Sequence, residues 1–222
     1  MTPEVKLDPC GVHVSEWALC PCWDFDPTKE WRRFMSVRFE LPKDLPVPQD
    51  DGGARHLTGA RLPAIALEAT DGSRIDLSAL IGRTVVYVYP RTGDPNQGVP
   101  EGWDAIPGAR GCTPQSCAFR DYFADLKRLG VTQLFGLSTQ TTDYQREAVE
   151  RLHLPFAILS DTDLALTRAL DLPTFVYNGM TLLKRMAWVI DEGTIAKVFY
   201  PVFPPDKNAE EVMAWLAQPA SR

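Results

Sequence analysis

The sequence has no apolar run near the roughly 20 residues that a membrane-spanning helix needs. Its opening, MTPEVKLDPCGVHVSEW, has no basic stretch leading into an apolar one. Positive charge is in the minority: 23 Lys and Arg stand against 29 Asp and Glu, a formal charge of −6. That balance argues against a nucleic-acid partner, which usually needs a basic face. Histidine is scarce, and His13, His56 and His153 are isolated, so neither a zinc cluster nor a histidine-based catalytic pair is spaced along the chain. No Cys-x-x-Cys pair occurs, and neither do repeats or low-complexity tracts. The expectation is a cytoplasmic, reducing home, with no membrane and no nucleic-acid partner.

What is present is ordinary globular composition, 45% hydrophobic and 23% charged over 222 residues. The length suits one domain with decorations, or two small ones. Five cysteines are an odd number in a chain too large to need disulfide staples. They are unevenly placed. Cys10, Cys20 and Cys22 fall in residues 1–34 beside Trp17, Trp23 and Trp31, where no helical or alternating period is sustained. Residues 1–34 are expected to be a poorly ordered extension, or an over-called start ahead of Met35. Residues 35–56, with LPKDLPVPQDDGG at 41–53, are expected to be a lead-in. Residues 57–222 are expected to form the working domain.

Within that domain, Ile65 and Leu67, Asp71-Gly72, then Ile75 and Leu77 predict a hairpin. TVVYVY at 84–89 is a continuous β-branched and aromatic run, the pattern of a strand buried on both faces, and Pro90 ends it. Residues 91–111 are rich in Gly and Pro, and Trp103 and Ile106 predict that the stretch folds back onto something. Phe119, Tyr122, Phe123, Leu126 and Leu129 make one helical face over 114–129, with Thr113 as N-cap, Pro114 at the first position and Gly130 as terminator. Strands at 131–138 and 156–160, helices at 143–152 and 162–170, a hairpin over 185–202 and a closing helix at 208–216 complete a mixed sheet with helices on both faces.

The chemistry lies in Gly111-Cys112-Thr113-Pro114-Gln115-Ser116-Cys117. A thiol at a helix mouth meets free N–H groups and about half a positive charge, which favour the nucleophilic thiolate, and Arg110 offers a further charge. Helical residues five apart have Cα atoms about 8.7 Å apart, beyond the 4.4–6.8 Å or so of a disulfide. A Cys112–Cys117 bond therefore requires the helix start to unwind, which couples oxidation to local structure. The plainer reading is two small buried residues at a helix start; Cys117 alone fits it, whereas Cys112, beside Gly111 at the helix mouth, does not.

Together with Tyr89-Pro90, Phe119-Arg120-Asp121, GLST at 136–139, FAILSD at 156–161, RMAWVID at 185–191 and KVFY at 197–200, this segment resembles the atypical two-cysteine peroxiredoxins of the bacterioferritin-comigratory type. The resemblance implies a thioredoxin-like α/β fold, a three-layer α/β/α sandwich with a central mixed sheet and an N-terminal hairpin. It implies a thiol peroxidase with no cofactor and no metal. Cys112 would attack the peroxide and Cys117 would resolve the product as an intramolecular disulfide. Arg185 would hold thiolate and peroxide, and Pro90 would shield the thiolate. The implied partners are a peroxide, a thioredoxin-like or glutaredoxin-like reductant, and a monomer or weak homodimer of the chain.

One departure stands out. The family spacing Pro-x-x-x-Thr-x-x-Cys falls on Ala105 and Ala109 here, and Thr92 is the candidate to supply the missing hydroxyl. Two other functions stay open on the residues: a thiol–disulfide oxidoreductase, disfavoured by the missing Cys-x-x-Cys, and a non-catalytic redox-sensing module.

Overall fold

The computed structural model describes residues 41–218 except 43, 95 and 96. The expected extension at 1–34, with Cys10, Cys20 and Cys22, lies outside them, as do residues 35–40 of the lead-in.

A seven-stranded mixed sheet forms the middle layer, in the order β2-β1-β5-β4-β3-β8-β9. β1 (Ala66–Ala69) and β2 (Arg74–Asp76) are the expected hairpin about Asp71-Gly72. β3 (Arg83–Val88) runs parallel to β4 (Val131–Ser138) and antiparallel to β8 (Met186–Asp191). β5 (Ile158–Ser160) continues the parallel pairing, and β9 (Thr194–Phe199) closes the far edge against β8.

The unbroken apolar run of β3 is explained by its place in the centre. Val85, Tyr87 and Tyr89 face one core, and Val86 and Val88 face the other. β8 divides likewise, with Ala187 and Val189 against Met186, Trp188 and Ile190. Each such buried side chain contributes on the order of 1.5–3 kcal/mol. Helices α1 (Cys112–Asp121), α2 (Phe123–Arg128), α3 (Thr142–Leu152) and α5 (Asn208–Leu216) cover the Tyr87 side. The short α4 (Ala165–Ala169) and the turn at Arg55–Leu57 cover the Trp188 side. Gly136 lies under the Tyr87 ring, where an added Cβ would fall 2.8 Å from its hydroxyl.

Three expectations need correction. The helix begins at Cys112, two residues before Pro114. Its N-cap is Gly111, not Thr113, with no side-chain cap. Pro114 is still tolerated, because the first intrahelical donor is Gln115 N–H to Gly111 C=O (3.1 Å), so proline's missing N–H loses nothing. The single helix over 114–129 is two helices with a break at Tyr122 (φ −96°, ψ 10°). There the Tyr122 hydroxyl donates to Glu210 on α5, and the Phe123 ring turns onto Phe156. The helix expected over 162–170 is confined to α4, which follows Leu164 in a left-handed conformation.

One element was not anticipated. β6 (Thr174–Tyr177) and β7 (Met180–Leu183) form a separate two-stranded hairpin. Its signal, Asn178-Gly179, is present in the sequence: both residues have positive φ (47° and 75°), the requirement of a type I′ turn.

Candidate active site

Four segments build the site: the end of β3, the Gly-rich stretch after it, the start of α1 and the head of β8. The Gly-rich stretch does fold back. Trp103 is buried against the unanticipated hairpin, 4.9 Å edge-on from Tyr177 and 6.2 Å from Phe175. The Tyr177 hydroxyl donates to the Glu101 carbonyl (2.8 Å). Arg110 pairs with Asp104 (3.3 Å) within the stretch, so its charge is directed there. This anchoring delivers Gly108, Ala109 and Arg110 to the mouth of α1.

Gly111 makes the turn into the helix. Its φ is +100°, and an added Cβ would lie 2.3 Å from Pro205 Cγ, so both conformation and space demand glycine. Cys112 follows as the first helical residue, buried (4% exposed) within the Tyr87 and Tyr89 cluster.

Arg185, the residue immediately before β8, reaches this point as the expected partner. It is 3% exposed. Nε donates to Gly108 C=O (3.2 Å), and Nη1 donates to Gln115 Oε1. Nη2 is within reach of Ala109 C=O (3.2 Å), Arg110 C=O (3.0 Å) and Cys112 Sγ (3.2 Å). The protonated thiol has its own acceptor, Ala109 C=O, at 3.6 Å. A buried guanidinium thus donates to the sulfur of a cysteine at a helix N-terminus.

Cys117 lies on the same helix, and both thiols are free. Burial pushes the Cys117 thiol up from its ordinary range, with Arg120 pulling weakly the other way. Unwinding the helix start would expose Cys117 and remove the burial that raises it. The Tyr87 hydroxyl donates to Ser116 Oγ (3.1 Å) between the two cysteines, and the Tyr87 ring stacks 4.7 Å from Phe119.

Cys112 and Arg185 are thus brought together. Pro90 is buried just beyond β3. Thr92 is also buried, but its hydroxyl and N–H both go to Gln140 Oε1 (3.2 and 2.9 Å), and no hydrogen bond joins it to Cys112. Arg91 lies over the Tyr144 ring, and Arg120 donates to Leu152 C=O (2.7 Å), both holding structure. His56 meets Leu170 C=O (2.8 Å) and His153 ends α3; neither is at the site.

Sequence reasoning missed two members, Gln115 and Asn208. Gln115 stood inside the motif as an unremarked residue. Asn208, far away in the chain, carried no local signal.

Fold and site together define a thioredoxin-like α/β protein built around one buried cysteine held by an arginine. The family model described as Redoxin matches residues 57–213, and the chain belongs to that family. Among curated proteins it is similar to the chloroplastic peroxiredoxin Q of Gentiana triflora, at 28% identity over 86% of this chain and 83% of that protein. It is also similar to a putative peroxiredoxin bcp of Coxiella burnetii, at 27% identity over 71% of this chain and 97% of that one. Among solved structures, the peroxidoxin BcpB of Mycobacterium tuberculosis shares the fold, with TM-score 0.58 at 23% identity over 72% of this chain and 95% of that one. These relatives make the chain a thiol-dependent peroxidase of the peroxiredoxin Q and bacterioferritin-comigratory kind. No helix among the described residues is long and apolar enough to cross a membrane.

Proposed function

We propose that this chain reduces hydrogen peroxide or an organic hydroperoxide through a cycle run by Cys112 and Cys117. The Cys112 thiolate attacks one peroxide oxygen and the O–O bond breaks. Sulfur becomes a sulfenic acid, and the second oxygen leaves as water or an alcohol once protonated. Cys117 then attacks the sulfenic sulfur, water leaves, and the disulfide forms. A thioredoxin-like or glutaredoxin-like dithiol restores both thiols by exchange and is itself oxidised.

The observation that carries this reading is Arg185 Nη2 at 3.2 Å from Cys112 Sγ in a buried pocket. A planar, permanently charged fork can donate to sulfur and to the oxygen developing charge. In the proposal Pro90 shields the thiolate, and Thr92 holds the chain beside it through Gln140 instead of touching sulfur. Residues 57–222 are the working domain, acting in the cytoplasm as a monomer or weak homodimer.

The test is stopped-flow consumption of hydrogen peroxide by the reduced protein, followed by turnover with a thioredoxin. Reaction orders of magnitude faster than free cysteine is expected. A rate equal to that of free cysteine overturns the reading.

A further inference from the structure

We propose that Asn208, the first residue of α5, is a positioning residue for the attack by Cys112: acting through Gln115, it fixes the plane of the Arg185 guanidinium. The inference rests on the peroxidase reading above.

The observations form one buried chain. Asn208 Oδ1 accepts from Gln115 Nε2 at 2.9 Å. Gln115 Oε1 accepts from Arg185 Nη1, and Arg185 Nη2 donates to Cys112 Sγ. Asn208 and Gln115 are wholly buried, and Arg185 is nearly so. The direction is fixed from the arginine end. A guanidinium only donates, so Gln115 must turn its carbonyl oxygen to it. The amide nitrogen of Gln115 then points to Asn208, which must answer with its own oxygen.

The need for such a constraint is visible at Nη2. That nitrogen has two hydrogens and three acceptors within reach, namely the carbonyls of Ala109 and Arg110 and the Cys112 sulfur. A small rotation of the guanidinium plane moves a donor from sulfur to a carbonyl. Nη1 opposes that rotation, and among the described residues its hydrogen-bond partner is Gln115. Gln115 has several rotatable bonds of its own and holds still only if its other end is held. Asn208 supplies that hold from a wholly buried position where α5 begins, after the Pro205–Lys207 turn packed on Gly111. A residue nearly a hundred positions away in sequence thereby sets the aim of the donor on the reacting sulfur.

The test is a double-mutant cycle in a Cys117→Ser background, where only the first step is read. Stopped-flow oxidation of Cys112 by hydrogen peroxide is measured for the parent, Asn208→Leu, Arg185→Lys and the double variant, with thermal unfolding recorded for each. Asn208→Leu is expected to slow the reaction roughly tenfold, near the upper end of what one neutral hydrogen bond is worth. In the Arg185→Lys background the same change is expected to matter less than about twofold, because a lysine ammonium has no plane to fix. If Asn208→Leu does not fold, Asn208→Ser, too short to reach Gln115, enters the same cycle. Equal slowing in both backgrounds would show that Asn208 acts only through packing and would overturn the proposal, as would no slowing in the parent. A parent no faster than free cysteine overturns the peroxidase reading and this role with it. A reactive parent with an additive cycle overturns the role alone.

Discussion

Cys112→Ser is expected to abolish peroxide reduction while leaving the fold intact. The hydroxyl occupies nearly the same volume at the mouth of α1 and still has the Ala109 carbonyl as acceptor. Stability should therefore change by no more than about 1 kcal/mol. Chemistry is another matter. Neither a guanidinium at 3.2 Å nor a helix terminus ionises an alcohol near neutral pH. Oxygen also lacks the polarisable lone pair that attacks an O–O bond and survives as a sulfenic acid. Stopped-flow peroxide consumption should fall to the uncatalysed level while the thermal unfolding midpoint stays near that of the wild type. A variant that still consumes peroxide would move the reacting sulfur to another cysteine.

Arg185→Leu is expected to damage both function and stability. Loss of one preorganised donor to a developing charge costs on the order of 10²–10³ in rate. Arg185 is also the donor that satisfies the carbonyls of Gly108, Ala109 and Arg110 and the Gln115 side chain. Leucine leaves the buried Gln115 oxygen without this donor and takes a donor from the Ala109 carbonyl and from the half-buried Gly108 and Arg110 carbonyls, at about 1–3 kcal/mol for each that water cannot reach. Denaturant unfolding should show a loss of several kcal/mol, the size expected for a broken buried charged network. Arg185→Lys should recover part of the stability and little of the rate, because a point charge cannot serve sulfur and Gln115 together. A Leu variant with wild-type peroxide kinetics would remove Arg185 from the mechanism.

The sheet was legible because its signals are local. A continuous apolar run marked β3 as a strand with two buried faces, Asp71-Gly72 marked the first hairpin, and the span 185–202 was expected as a second. Cys112 was legible because a Gly–Cys at a helix mouth has a direct electrostatic consequence. The Asn178-Gly179 hairpin was equally local and was passed over between the firmer strands. What was not legible depends on distance in the chain. Nothing near Asn208 says that it meets Gln115, and nothing near Thr92 says that Gln140 takes its hydroxyl. The break at Tyr122 is decided by Glu210, and the helix start by the room Pro205 leaves beside Gly111. Helical periodicity sees one face of one helix and is blind to such partners.

The two cysteines share α1, so the account makes oxidation and unwinding one event. In the folded helix their Cα atoms are about 8.7 Å apart by helical geometry, too far for a disulfide. The Tyr87–Ser116 hydrogen bond between them and the Tyr87–Phe119 stack just beyond Cys117 hold the helix to the sheet. Once Cys112 is oxidised, the first turns must release before Cys117 can reach it.

The most direct measurement of this claim treats reduced protein with one equivalent of hydrogen peroxide. Thiols are then counted, peptides are mapped without reduction, and the far-ultraviolet circular dichroism is recorded. The account predicts the loss of two thiols per chain, a peptide linking Cys112 to Cys117, and a drop in helical signal that a reductant reverses. Loss of thiols with no Cys112–Cys117 link, or that link formed with the helical signal unchanged, would contradict it.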